Sequence, residues 1–277
     1  PSSAASDVYK RQHYTSNVTE MVEIAETAWL GIFCDTKRGV AKWRQVRHLL
    51  EPLLKDRHKE QQLRDITAKD LHKVVHKWNK RKRGGLDGWR VEELQYLPEA
   101  AYEQLARVLN LIETTGEWPE AVVTGLVALI PKAKPSNEPL GQRPITIMPL
   151  IYRMWASVRG RQCSAWMSAI AEFNCTDGVA GRGAEDAWLP FSVRMEAAFN
   201  DGSHIAGFSG DMEKCYDSLP MDAVLGICGA LGMHPRIIKG LEAAYSRMQR
   251  VITLNQGFGC IWTALTGAIQ GCASQIL

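Results

Sequence analysis

Apolar residues recur at helical spacing in the first third of the chain and gather into short β-rich runs further on. Leu71, Val74, Val75 and Trp78 fall at i, i+3, i+4 and i+7, which is one face of a helix. Ahead of them, Thr67-Ala68-Lys69-Asp70 has the form of a capping box, with Thr67 as N-cap and an acidic residue three positions on. Gly84, Gly85 and Gly88 break that helix. Residues 91–115 read as two further helices divided near Pro98, and Trp118-Pro119 opens a turn, proline being suited to a first helical position. Residues 122–130 are β-rich and almost wholly apolar, which predicts a buried strand. A helix is expected over 149–170, a glycine-bearing loop over 177–183, and a helix from there to about Asn200. Residues 204–208 read as a short strand running into Ser209-Gly210-Asp211; two helices follow, then a strand around Val251-Ile252-Thr253-Leu254 and a glycine-rich stretch. Helices interspersed with isolated strands, behind a helix-rich N-terminal region, predict a mixed α/β or α+β chain, of which α+β is preferred.

The 277 residues suit one large domain or two small ones, and 45% hydrophobic against 23% charged residues excludes wholesale disorder. No stretch approaches the ~18 apolar residues of a membrane span, so no membrane partner is expected. Seven cysteines, odd in number, widely spaced and without a Cys-x-x-Cys pair, argue against a disulfide framework or a zinc knuckle. They read as reduced thiols, mostly small core residues.

The net charge of +3 is ordinary, but its distribution is not. Residues 40–90 hold 15 Lys/Arg against 6 Asp/Glu, while the rest of the chain is net acidic. Such a block suits a polyanion, because each neutralised phosphate releases counterions; a solvated helix surface would carry the same charge. The densest cluster, Lys80-Arg81-Lys82-Arg83, abuts two glycines, and a flexible basic turn can follow a line of phosphates.

Several chemistries lack their signatures. No phosphate-binding P-loop and no Gly-x-Ser-x-Gly elbow occurs, and Gly178 to Gly183 lacks the strand-then-helix setting of a dinucleotide fingerprint. His72 and His76 share a helix face without a third ligand and read as surface histidines. One segment stands apart. Around Asp211-Met212-Glu213-Lys214-Cys215-Tyr216-Asp217, a strand delivers a carboxylate at its end and a turn delivers an aromatic residue five positions later. A rigidly held carboxylate is a good magnesium ligand, although an Asp at a strand end is more often a turn residue.

Five elements in order carry a resemblance. Arg83-Gly84-Gly85-Leu86-Asp87-Gly88-Trp89 resembles the Ala-Pro-Gly-x-Asp-Gly element of reverse transcriptases of non-LTR retrotransposons and group II introns. Leu129-Ile130-Pro131-Lys132 followed by Gln142-Arg143-Pro144-Ile145 is similar to their Leu-Ile-Pro-Lys and Arg-Pro-Ile pair, and Gly181-Arg182-Gly183-Ala184-Glu185-Asp186-Ala187 to their Gly-Arg-Ser-Thr-x-Asp-Ala. Asp211 to Asp217 matches Asp-x-x-Lys-Ala-Phe-Asp, and Gly267-Ala268-Ile269-Gln270-Gly271-Cys272 resembles Gly-x-Pro-Gln-Gly-x, with Ile269 in place of the proline. The resemblance covers about residues 65–277 and is nearest to the non-LTR type.

It implies the fingers and partial palm of a right-hand polymerase, with an incomplete antiparallel palm sheet, preceded by a helical lead-in over 13–64. The implied activity is RNA-directed DNA synthesis by two-metal nucleotidyl transfer, with Mg2+ as cofactor and an RNA template, a DNA primer and dNTPs as partners. Asp211 is then the metal carboxylate, with the backbone carbonyl of Met212 as a further ligand. Lys132 and Arg143 would grip the triphosphate, Tyr216 would be the aromatic gate against a ribose 2′-hydroxyl, and Gln270 and Gly271 would line the nucleotide. Lys80, Arg81, Lys82 and Arg83 would contact nucleic acid. Asp87 reads as a turn residue, and Lys214 and Asp217 as supports of the turn.

The family's Tyr-x-Asp-Asp turn, source of the second metal carboxylate, is expected beyond Leu277, and no Asp-Asp pair occurs in the chain. The segment alone is therefore expected to extend no primer. The alternative is a non-catalytic RNA-binding or intron-maturase-like remnant. Residues 2–12 resemble the translation of a transposon-based sequencing-library adapter, so residues 1–12 are set aside as an artefact. Cellular location stays open; it would be nuclear for a eukaryotic retrotransposon.

Overall fold

The computed structural model describes residues 15–34, 42–132, 138–172 and 175–269; residues 1–12, Gln270 and Gly271 lie outside them. The chain is a mixture of helix and sheet, as an α+β reading expects. In order the elements are α1 (Val18–Phe33), α2 (Trp43–Leu54), α3 (Ala68–Val75), α4 (Val91–Gln95), α5 (Glu99–Thr115), α6 (Glu120–Val123), β1 (Thr124–Pro131), β2 (Gln142–Ile147), α7 (Leu150–Ile170), α8 (Ala184–Asn200), α9 (Cys215–Ser218), α10 (Met221–Ala230), α11 (Pro235–Arg247), β3 (Gln249–Leu254), β4 (Gly257–Phe258) and β5 (Trp262–Thr263). No helix among the described residues is long and apolar enough to cross a membrane.

Local chemistry accounts for many boundaries. Thr67 caps α3 as its sequence predicts: its hydroxyl accepts from the Asp70 N–H at 3.3 Å, and Asp70 Oδ2 accepts from the Thr67 N–H at 3.1 Å. Arg64 grips both Asp70 oxygens at 2.6 and 2.7 Å. Hydrogen bonding to Arg64 first, then to Thr67, holds the Asp70 carboxyl well below the usual carboxylate range. A carboxyl depressed in the folded state stabilises above its unfolded value, ~3.9, and loses that contribution as pH falls through its folded value. Asp70→Ala is therefore expected to cost about 1–2 kcal/mol at pH 7. The deficit should shrink below about pH 4, as urea denaturation at pH 7 and pH 2.5 will show.

Helix α3 ends earlier than its apolar spacing predicts, and Trp78 lies in the turn beyond it, half-buried against the core. Pro98 separates α4 from α5 as expected, and Pro119 is the N-cap of α6, one position before the first helical residue. The expected strand over 122–130 begins at Thr124, because α6 takes the residues before it.

The sheet is mixed and runs β2-β1-β3-β4, with β5 also on β3. β1 pairs antiparallel with β2 and parallel with β3. An antiparallel expectation fails at that central pair: Thr124–Ala128 and Gln249–Thr253 run the same way, joined by a crossover through α7 to α11. The expected strand at 204–208 is absent, and residues 201–213 are exposed throughout. A strand needs a neighbour to take its backbone hydrogen bonds, and no ladder reaches this segment. Helix α8 is similarly bare, with Trp188, Leu189 and Phe199 exposed.

The main core joins α3, α4, α5, α7, α10 and α11 around Leu71, Leu94, Leu109, Tyr152, Trp155 and Leu241. A second, smaller cluster packs Ala25, Trp29, Ile32 and Phe33 of α1 onto Val127 of β1 and Ile252 of β3. The thiols split between these environments and the surface. Cys163 and Cys228 are buried, Cys34 and Cys215 half-buried, and Cys175 and Cys260 exposed, so most of those described are not core residues. Burial pushes the Cys228 thiol up to about 12.

Candidate functional site

A cavity of about 570 Å³ opens where the β1–β2 hairpin faces the turn at 211–217. Lys132, Gln142, Arg143, Pro144 and Ile145 line one wall and Asp211, Met212, Lys214, Cys215, Tyr216 and Asp217 the other, with Trp29 of α1 between. Antiparallel pairing builds the first wall. Ile130 lies opposite Arg143 and Pro131 opposite Gln142, so Lys132, just past the strand end, comes near Arg143. Four residues assigned by resemblance from three separate motifs, Lys132, Arg143, Asp211 and Tyr216, therefore share one cavity.

The second wall is a compact turn. Lys214 has a left-handed backbone, φ +50°, ahead of the one-turn helix α9. That conformation costs a non-glycine residue about 1–2 kcal/mol, so the surroundings must hold it. The Lys214 ammonium lies over the Trp29 ring, 5.1 Å from its centroid. Asp217 is buried. Residues 267–268 run alongside: the Gly267 N–H donates to the Leu219 carbonyl at 2.9 Å and the Ala268 N–H to the Tyr216 carbonyl at 2.7 Å. The fifth sequence element thus begins against the fourth. Gly267 has φ +91°, and a Cβ there would lie 2.8 Å from the Asp217 carbonyl oxygen, so both conformation and space require glycine. Buried Arg250 donates to the Gly267 carbonyl at 3.1 Å.

The other assigned residues fall elsewhere. Arg83 to Trp89 packs against the start of α7. Gly85 approaches Pro149 so closely that a Cβ would meet its backbone at 2.6 Å, and the Leu150 N–H donates to Asp87 Oδ2 at 3.1 Å. Asp87 is thus a cap for α7, and burial raises its carboxyl while backbone N–H groups oppose the rise. Lys80, Arg81 and Arg83 are exposed; Lys82 is half-buried with its ammonium 4.5 Å from the Trp78 ring centroid. None of these four lines the cavity. Arg182 and Asp186 serve their own segment, Arg182 bonding the Cys175 carbonyl at 2.7 Å and Asp186 the Gly183 N–H at 2.7 Å. Gln270 and Gly271 lie outside the described residues.

Sequence reasoning missed Trp29. Its helix carried a usable signal: Val22, Ala25, Glu26, Trp29, Ile32 and Phe33 are buried at helical spacing. Chemically, the cavity offers three cationic side chains beside two carboxylates, one of them exposed. No group of three His, Cys, Asp or Glu able to hold a metal ion occurs among the described residues. One carboxylate and a neighbouring carbonyl still fit Mg2+, which keeps several waters and takes oxygens from a bound phosphate.

No family model matches the chain. Over 221 residues, 80% of its length, it is 22% identical to the Transposon TX1 uncharacterized 149 kDa protein of Xenopus laevis. The chain spans 17% of that protein's length. A cationic cavity with an exposed carboxylate on its rim thus sits in a chain whose likeness to this protein suggests a transposon origin.

Proposed function

We propose that this chain is the fingers and part of the palm of a reverse transcriptase of the non-LTR retrotransposon type, and that the cavity receives a deoxynucleoside triphosphate with Mg2+. The supporting observation is that Lys132, Arg143, Asp211 and Tyr216, drawn from three motifs, line one cavity. Lys132 and Arg143 would bring positive charge to the triphosphate. Asp211 and the Met212 carbonyl would hold Mg2+. When bound, that ion supplies Lewis acidity, activating a primer 3′-hydroxyl and neutralising charge on the leaving pyrophosphate. Tyr216 would act as the aromatic gate against a ribose 2′-hydroxyl, and the exposed Lys80, Arg81 and Arg83 would offer their charge to the template backbone. Nucleotide binding with Mg2+ is the property this reading assigns to the cavity.

Calorimetric titration with dTTP, with and without Mg2+, tests this. Asp211→Asn is expected to remove the Mg2+-dependent part of the affinity, a loss of about tenfold or more, and to leave the melting temperature unchanged because Asp211 is exposed. Nucleotide binding indifferent to both Mg2+ and Asp211 would overturn the reading. Salt-sensitive RNA binding alongside that result would favour the non-catalytic remnant, for which the exposed Lys80, Arg81 and Arg83 are the supporting feature.

A further inference from the structure

We infer that Trp29 is a positioning residue of this nucleotide pocket, and that helix α1 belongs to the same functional unit. The inference rests on the polymerase reading and deepens it.

Trp29 touches both walls. Its indole N–H donates to the Pro139 carbonyl at 3.1 Å, across 110 residues of sequence. Pro139 opens the 3-10 turn Pro139–Gly141, which leads directly into β2 and Arg143. The face of the same ring carries the Lys214 ammonium at 5.1 Å from its centroid, so the turn that presents Asp211 and Tyr216 is held from below. A single rigid side chain, 1% exposed, thus joins the triphosphate wall to the carboxylate wall.

The attachment continues down the helix. Trp29 stacks on Phe33 with centroids 5.5 Å apart, and Phe33 on Trp262 at 5.3 Å. The Phe33 carbonyl accepts from the Leu265 N–H at 2.9 Å, and the Thr266 hydroxyl reaches the Asp217 carbonyl at 3.1 Å. The indole fixes the distance between the walls, and the rest of α1 fixes the indole. Glutamine would offer a donor and leucine apolar contact, but neither fills the indole's volume nor offers both a donor edge and a cation-binding face.

The test measures Mg2+-dTTP affinity and melting temperature for the full chain and for W29F, K214M, K214R, the W29F/K214M double variant and D211N. Phe at 29 keeps a face for the ammonium and loses the donor; Met at 214 keeps the stem and loses the charge. W29F and K214M are each expected to weaken binding about threefold to tenfold. The double variant should fall no further than the two effects coupled through one ring allow, well short of their product. K214R should restore most of the affinity, and K214M should melt with the unmodified protein. A purely structural Trp29 would lower the melting temperature in W29F and leave the affinity of the folded protein unchanged. If D211N weakens binding and neither W29F nor K214M does, the role of Trp29 is refuted and the nucleotide reading stands. If D211N also leaves binding unchanged, the nucleotide reading fails and this inference with it.

Discussion

Replacing Glu113 with Gln is expected to destabilise the protein by about 3–5 kcal/mol, enough to unfold a domain of ordinary stability. Glu113 on α5 is fully buried at 0% exposure. Arg159 of α7, itself 2% exposed, meets it with two parallel N–H donors at 2.5 Å each. The Trp155 indole N–H donates to the same carboxylate at 2.7 Å, and Arg236 of α11 approaches at 3.1 Å. The carboxylate therefore balances one buried and one half-buried guanidinium where three helices meet. A neutral amide keeps the shape and one acceptor but leaves the Arg159 charge without its counter-ion, which is the costly half of a broken buried pair. Equilibrium urea denaturation measures the loss. Pairing the change with Arg159→Met should recover much of it, since removing both charges removes the unpaired one. A loss below about 1 kcal/mol for Glu113→Gln alone would show that water reaches Arg159.

Arg250→Met should cost about 2–4 kcal/mol and should disturb the cavity as well as the fold. Arg250 is 1% exposed on β3, and its guanidinium lies 4.8 Å from the Phe33 ring centroid while donating to the Gly267 carbonyl. Burial lowers its pKa, and electrostatic interaction with Tyr245, Asp217 and Cys34 opposes that fall. Methionine fills comparable volume but offers neither the donor nor the charge. Buried Asp217 then loses the electrostatic support of that charge. Chemical denaturation measures the loss; a deficit below about 1 kcal/mol would remove the buried guanidinium from the account.

Elements governed by near neighbours were legible in the sequence. The Thr67 capping box, the division at Pro98, helix α7 and the helix after Gly183 depend on chemistry within a few residues, and each is found. The wall residues Lys132, Arg143, Asp211 and Tyr216 were named from motifs, and they do line one cavity. What was not legible depends on distant partners. The expected strand at 204–208 has suitable residues but no neighbouring ladder. Asp87 was read as a turn residue because its partner, the Leu150 N–H, lies 63 positions on. The parallel pairing of β1 with β3 leaves no local mark, since either strand would look the same with its neighbour reversed. Trp29 carried no motif, only a place on an apolar helix face whose destination lay more than a hundred residues away.

That parallel pairing also sets an order of events during synthesis. Helix α1 precedes the other described elements in the sequence, yet its apolar face rests on a platform that includes Ile252, and its last carbonyl waits for Leu265 and Thr266. β1 likewise waits for β3 across the whole crossover. On a ribosome the helical core around Leu71, Leu109 and Trp155 can consolidate early from contacts nearer in sequence, whereas α1, made before that core, docks after it. Through that interval Trp29, Ile32 and Phe33 are a hydrophobic surface for a chaperone to shield.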